Sequence, residues 1–185
     1  MDKIVIYCSA SNTIEEVFNI NASKLIKGLC EKGYGIVSGG ISLGTMKVVA
    51  DAVAECGGCH KGVMPRFMKG MECEGLSESV WTETMSARKE EMRKDTVAAI
   101  AFPGGIGTLD ELIETMVLKK LDQYHGRVIV LNVSGFFDSL LALLDHYVAT
   151  GMLLPQDRAL IESFDSAEAL LESFLVRIDQ RGSYR

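Results

Sequence analysis

Short apolar, β-rich segments alternate with longer segments of helical periodicity along almost the whole chain. The apolar segments are residues 3–8, 35–38, 61–64, 96–102 and 127–132. Strands that are covered on both faces have nearly continuous apolar sequences, and parallel strands require helical crossovers between them. We therefore predict an α/β fold, a Rossmann-like doubly wound parallel sheet. The length of 185 residues fits one domain, residues 1–185.

Helical periodicity fills the segments between these strands. The predicted helices cover residues 14–29, 45–56, 86–94, 108–121, 140–147 and 167–178. The last of them carries on one face Ala167, Leu170, Leu171, Phe174, Leu175 and Ile178. Residues 66–79 show no clear period and contain Gly70 and Gly75, so we expect a surface loop of mobile character that leads into a short strand at 80–82.

Composition excludes several classes of function. The formal net charge of −6 argues against nonspecific binding to nucleic acid, which needs a basic surface. The sequence contains no run of about 18 apolar residues that would cross a membrane. The segment from Met1 to Cys8 is too short and too β-branched for a signal peptide, and the five cysteines form no disulfide framework, so we expect a cytoplasmic protein.

The most specific local feature is the sequence Phe-Pro-Gly-Gly-Ile-Gly-Thr at residues 102–108, between a predicted strand and a predicted helix. Gly104, Gly105 and Gly107 would let backbone N–H groups approach an anion, and Thr108 could add a hydroxyl. The helix N-terminus contributes partial positive charge, so the segment favours binding of a phosphate. A simple tight turn remains the alternative, in which Thr108 caps the helix and Glu111 completes a capping box.

A second glycine-rich loop follows another predicted strand. It contains Gly39 and Gly40 after Ser38, and it leads into the helix predicted from Thr45. The loop matches neither the dinucleotide fingerprint nor the Walker A sequence, so alone it is a weak signal. Two such loops at the ends of two strands favour a single crevice between them.

Charged side chains that could perform chemistry lie close to the first glycine loop in the sequence. Arg88 is a fixed cation suited to phosphate or to a developing negative charge, and the alternative is a solvated polar helix. Glu111 and Glu114 are three residues apart, which places them on one face of a helix. A carboxylate near a helix N-terminus is expected to stay ionised, and it could stabilise an oxocarbenium ion or orient a water molecule.

The sequence Cys56-Gly57-Gly58-Cys59-His60 matches the haem-attachment string. Without an export signal we interpret it as a turn between a helix and a strand. It lacks the second pair of ligands that a zinc site needs, and the three histidines form no spaced metal motif.

Taken together, these residues resemble the Lonely Guy family of nucleotide phosphoribohydrolases. The resemblance runs from the first strand to about Pro155 and is most specific where Arg88-Lys89 is followed by the segment from Pro103 to Glu111, which matches R-K and P-G-G-x-G-T-x-x-E. It implies hydrolysis of nucleoside 5′-monophosphates, such as AMP or cytokinin ribotides, to free base and ribose 5-phosphate. It also implies a homodimer with the site near the interface, and no metal or organic cofactor.

By position, the resemblance implies that Arg88 and Glu111 are catalytic. The phosphate loop and the supporting residues for substrate binding would be Gly104, Gly105, Gly107, Thr108, Lys89, Met85, Gly39, Gly40 and Glu114. Two other functions stay open. The same fold and glycine loop occur in molybdenum-cofactor carrier proteins, so the chain could carry a nucleotide or cofactor without consuming it. It could also be a sensor that changes its assembly when a nucleotide binds.

Overall fold

The computed structural model describes the backbone of residues 1–182 and the side chains of residues 1–174. Within these residues the strands are β1 (Lys3–Tyr7), β2 (Gly35–Ser38), β3 (His60–Pro65), β4 (Glu78–Thr82), β5 (Thr96–Ala101), β6 (Arg127–Leu131) and β7 (Ile161–Phe164). The α-helices are α1 (Glu16–Glu31), α2 (Gly44–Glu55), α3 (Met85–Arg93), α4 (Ile106–Lys120), α5 (Asp138–Ala149), α6 (Pro155–Arg158) and α7 (Ala167–Gly182). Short 3-10 turns lie at Arg66–Met68 and Val133–Gly135.

The described strands form one parallel sheet in the order β4-β3-β2-β1-β5-β6-β7. The chain first builds the sheet outward from β1 through β2, β3 and β4, and then returns to the other side of β1 with β5. The strand order therefore reverses between β1 and β5. In doubly wound sheets ligands bind outside the carboxyl ends of the strands at such a switch point. This topology confirms the predicted Rossmann-like fold.

Helices cover both faces of the sheet, which explains why the inner strands are apolar on both sides. On one face α1, α2 and α7 pack against the sheet, and their buried side chains include Leu25, Val53 and Leu170. On the other face α3, α4 and α5 contribute Met92, Leu112 and Leu144. The four residues of the predicted last-helix face with described side chains, Ala167, Leu170, Leu171 and Phe174, are buried or partly buried, whereas Leu175 and Ile178 lie outside the described side chains.

The structure adds two short elements that the sequence prediction lacked, and it attaches the predicted surface loop to the rest of the fold. The edge strand β7, which pairs with β6, and the short helix α6 have no counterpart in that prediction. Residues 66–77, which we call the strap, were expected to form a surface loop. The strap is attached to the second glycine loop by hydrogen bonds from the Ser42 N–H to the Met71 carbonyl and from the Cys73 N–H to the Gly40 carbonyl, both 2.8 Å long. None of the described helices combines the length and apolar composition needed to cross a lipid bilayer.

Candidate active site

The first glycine loop lies at the switch point of the sheet, where β5 ends and α4 begins. Gly105 is the N-cap of α4, and no described side chain caps the helix or places an acidic group in its first turn. The first backbone N–H groups of α4 therefore lack a side-chain cap, as they do at helix N-termini that bind anions. The predicted capping box is wrong, because α4 begins at Ile106 and not after Thr108, and Glu111 lies in the second turn.

Thr108 is buried in the first turn of α4 and folds back over the loop. A Cβ atom built on Gly104 would lie 2.2 Å from Thr108 Oγ1, so only glycine allows this close approach. Cβ atoms built on Gly105 and Gly107 would instead meet no atom within 4 Å. The loop therefore presents backbone, with open space in front of it, at the end of β5.

Arg88 and Glu111 form a buried ion pair beside this loop. The side chain of Thr84 caps α3 by accepting a hydrogen bond from the Ala87 N–H at 3.1 Å, which begins the helix just before Arg88. Arg88 Nη1 donates to Glu111 Oε1 at 2.8 Å, and Arg88 Nε donates to the Val63 carbonyl at 2.9 Å. The two side chains are only 6% and 8% exposed. The alternative of a solvated polar helix is therefore wrong for Arg88.

The electrostatic balance at Glu111 differs from the sequence expectation. Burial raises the pKa of Glu111 above its ordinary value, and the positive charge and hydrogen bond of Arg88 oppose that rise. Arg88, more than the helix N-terminus, therefore favours the carboxylate form. A buried acid that is paired with a cation can stabilise a developing positive charge, and perturbed groups of this kind are candidates for functional sites.

A second set of ion pairs fixes α3 against α4 next to Arg88 and Glu111. Lys89 Nζ lies 2.9 Å from Asp110 Oδ2 and also pairs with Glu114. Arg93 Nη2 donates to Glu114 Oε1 at 2.7 Å. Burial alone would raise the pKa of Glu114, but the hydrogen bonds from Lys89 and Arg93 lower it below the ordinary value. Glu114 is thus shared between two cations of α3.

The second glycine loop forms another wall of the same site. A Cβ atom on Gly39 would lie 2.4 Å from Arg88 Nη2, so a side chain at this position would displace the guanidinium group. The Gly40 N–H donates to Ser38 Oγ at 3.1 Å, which holds the turn that carries Gly39. Gly39 of the second glycine loop therefore lies beside the Arg88–Glu111 pair. Met85 is exposed at the first residue of α3, three residues before Arg88.

His60 and Ser38 are site-supporting residues that sequence reasoning missed. Ser38 Oγ and His60 Nε2 are 2.7 Å apart in the interior, and burial lowers the pKa of His60 to about 4. Cys56 and Cys59 are exposed, so the histidine of the haem-attachment string faces away from the cysteines. Only the pairing of β2 with β3 brings Ser38 and His60 together, and no short motif records it.

Comparisons with known proteins gave matches over most of the chain. A family described as "Possible lysine decarboxylase" matches residues 46–174. A protein of Oryza sativa subsp. japonica, named "Probable cytokinin riboside 5′-monophosphate phosphoribohydrolase", is 37% identical over 91% of this chain and 70% of its own length. A cytokinin riboside 5′-monophosphate phosphoribohydrolase of Arabidopsis thaliana is 34% identical over 92% of this chain and 81% of its own length.

Solved structures with lower identity share the fold. The molybdenum cofactor binding protein from Rippkaea orientalis superposes with a TM-score of 0.74 at 20% identity, covering 96% of this chain and 98% of that one. The molybdenum cofactor carrier protein from Chlamydomonas reinhardtii gives a TM-score of 0.74 at 18% identity, with the same coverage. At these identities the likeness establishes the fold alone. The family match and the identity with the phosphoribohydrolases show that the chain belongs to the Lonely Guy family.

Proposed function

We propose that this protein hydrolyses the N-glycosidic bond of nucleoside 5′-monophosphates, AMP or cytokinin ribotides, to free base and ribose 5-phosphate. The observation that carries the proposal is the buried pair of Arg88 and Glu111, adjacent to an uncapped helix N-terminus at the switch point of the sheet. The names of the relatives that are 34–37% identical support the same reaction.

The phosphate of the substrate would bind at the N-terminus of α4. Gly104, Gly105 and Gly107 would bring backbone N–H groups to the phosphate oxygens, and the helix dipole favours the negative charge there. Thr108 lies in the same turn and would contribute its hydroxyl. Gly39 and Gly40 would line the opposite wall, with Met85 at the rim.

Glu111 would act on the ribose. As the bond from C1′ to the base nitrogen breaks, its electron pair leaves with the base and positive charge develops on the ribose ring. The Glu111 carboxylate would stabilise this charge or orient the water whose oxygen adds to C1′. The departing base carries the negative charge of the bonding electron pair, and one proton of that water neutralises it. Arg88 would anchor the substrate and assist departure of the base, with Lys89 and Glu114 keeping the pair in place.

The direct test is chromatography of the protein after incubation with AMP and with isopentenyladenosine monophosphate. We expect free base from the wild type. Glu111→Gln should lower kcat by about a hundredfold or more, because the amide keeps the shape but carries no charge. Glutamine avoids leaving a wholly unpaired Arg88, and the unfolding transition of the variant serves as the control for its fold.

Two results would reject this assignment. Full activity in Glu111→Gln would remove Glu111 from the mechanism. Tight nucleotide binding by the wild type without any release of base would favour a carrier or a sensor, and measurement of the mass in solution with and without AMP would separate these two.

We also infer a homodimer with its interface beside the site. Apolar side chains recur on the outer surface of α4 at intervals of three or four residues, and we call them the α4 stripe: Ile106, Leu109, Ile113, Val117 and Leu121. Ile113 is partly buried, and the other four are exposed. A contiguous apolar surface on a helix favours a protein partner. Ile106 belongs to the first glycine loop, so a second copy bound here would lie next to the nucleotide.

We further propose that residues 1–185 act as one domain in the cytoplasm, a location that fits the five free cysteines.

A further inference from the structure

A buried chain of hydrogen bonds runs from the central strand of the sheet to the backbone of Glu111. Thr115 Oγ1 donates to the Glu111 carbonyl at 2.7 Å, and the Tyr7 hydroxyl lies 2.9 Å from Thr115 Oγ1. A carbonyl can only accept, and the threonine hydroxyl has one proton. Thr115 donates that proton to the Glu111 carbonyl, so the Tyr7 hydroxyl must donate to Thr115 Oγ1. The direction of the chain is therefore Tyr7 to Thr115 to Glu111.

Both hydroxyl groups lie in the interior, where apolar side chains pack around them. Tyr7 and Thr115 are fully buried, and Tyr7 packs among residues that include Val5, Met92 and Leu112. Burial raises the pKa of Tyr7, so the phenol keeps its proton. A buried hydroxyl without a partner is costly, whereas phenylalanine and valine would fill the same space without that cost. The hydroxyls provide one thing that the apolar pair would not, a directional link between β1 and α4.

We propose that Tyr7 and Thr115 are positioning residues that set the location of Glu111 relative to Arg88. Arg88 is carried by α3 and Glu111 by α4, so their contact depends on how α4 sits on the sheet. Tyr7 is the last residue of β1, at the switch point, and it attaches α4 there through the carbonyl of Glu111 itself. Catalytic groups need placement to about 0.5 Å. The inference rests on the proposed hydrolase function for its kinetic consequence.

The chain supplies a matched control. Tyr124 and Thr96 repeat the same arrangement away from Glu111: the two hydroxyls are 3.1 Å apart, and Thr96 Oγ1 donates to the Arg93 carbonyl at 2.7 Å. Removing this second chain costs a pair of partly buried hydrogen bonds with the same donor and acceptor groups. It leaves the backbone of Glu111 untouched.

The experiment compares Tyr7→Phe and Thr115→Val with Tyr124→Phe and Thr96→Val. We expect kcat for AMP to fall on the order of tenfold in the first pair, because a displacement below 1 Å is enough for a loss of that size. KM should stay within about twofold. Thr115→Ser, which keeps the hydroxyl, should restore most of the rate. The control variants should keep the wild-type kcat, and denaturant unfolding verifies that all of the variants fold.

A second measurement does not depend on turnover. Carboxyl carbon NMR of Glu111 should show a further rise of its pKa in Tyr7→Phe and Thr115→Val. A looser contact with Arg88 would lower the pKa less, so the rise caused by burial would be larger. Unchanged kcat with unchanged Glu111 titration would overturn the proposal, as would an equal loss in the control pair. If the wild type releases no base, the hydrolase assignment fails, and the Glu111 titration alone decides the positioning role.

Discussion

His60 shows how one buried residue can make the stability of this protein depend on pH. Its imidazole contacts Ser38 in the interior, and burial lowers its pKa from 6.5 to about 4. In the unfolded chain the same imidazole takes up a proton as the pH falls through 6.5. The unfolded state therefore binds more protons than the native state between these two values, and native stability is lost as the pH drops through that window.

The variant His60→Gln tests this dependence, since glutamine can still contact Ser38 but does not titrate. Between pH 7 and pH 5 the wild type should lose about 2 kcal/mol more unfolding free energy than the variant. Urea denaturation at the two pH values measures the difference, and all of the other titrating groups are common to both proteins. Parallel losses in the two proteins would show that His60 is not held neutral by burial.

At the residue scale the sequence predicted which side chains meet but not how they are held. The resemblance at Arg88-Lys89 and at residues 103–111 assigned Arg88 and Glu111 to one site, and the structure brings their side chains together. Burial of Arg88 could not be predicted, because its helix has a polar composition and the covering atoms come from Gly39 and Val63. The environment of the Glu111 carboxylate is set by its ion pair with Arg88 and not by the local capping-box pattern.

Among the elements, α4 begins without a side-chain cap. Its second residue is Gly107, where alanine would normally be more stable, and a Cβ there would meet no protein atom within 4 Å. A glycine with room for a side chain, and with an ordinary helical backbone, has no structural requirement. The open space in front of the loop is where the proposed phosphate would bind.

Gly107→Ala should accordingly separate stability from function. We expect the unfolding free energy to rise by up to about 1 kcal/mol through helix propensity. The KM for AMP should rise about tenfold or more, because the methyl group would occupy the space of the phosphate. Ser139→Ala, at the second residue of α5, is the matched control and should leave KM unchanged. An unchanged KM in Gly107→Ala would place the phosphate elsewhere.

The sequence predicted the boundaries of elements that are marked by a local pattern of apolar residues. It missed the elements that depend on contacts between distant residues. The inner strands follow their apolar runs, whereas β7 depends on long-range pairing with β6 and on the ion pair of Arg127 with Glu162, 2.9 Å from Nε to Oε1. The strap has no periodicity of its own, and it is ordered by hydrogen bonds to the second glycine loop. Such contacts come from the tertiary structure and leave no trace in a short window of sequence.

At the scale of the whole molecule, an apolar surface on α4 is exposed next to the candidate site. The α4 stripe runs along the outer surface of α4, from the first glycine loop to the end of the helix. Closed symmetric dimers bury the same surface of both copies, so a stripe of this kind can pair with itself. Since the stripe begins at Ile106, dimerisation would shield the nucleotide from solvent on that side.

Val117→Glu tests the dimer. Val117 is 47% exposed in the middle of the stripe, and glutamate is a good helix former, so the helix should persist while two like charges meet across the interface. Sedimentation should give twice the chain mass of 20.2 kDa for the wild type and the single chain mass for the variant.

Ile20→Glu is the control, because Ile20 is 57% exposed on α1, which packs on the opposite face of the sheet, and this variant should remain dimeric. If Val117→Glu sediments as a dimer, the interface lies elsewhere. If it is a monomer with full activity, the site is complete within one chain and the stripe serves assembly alone.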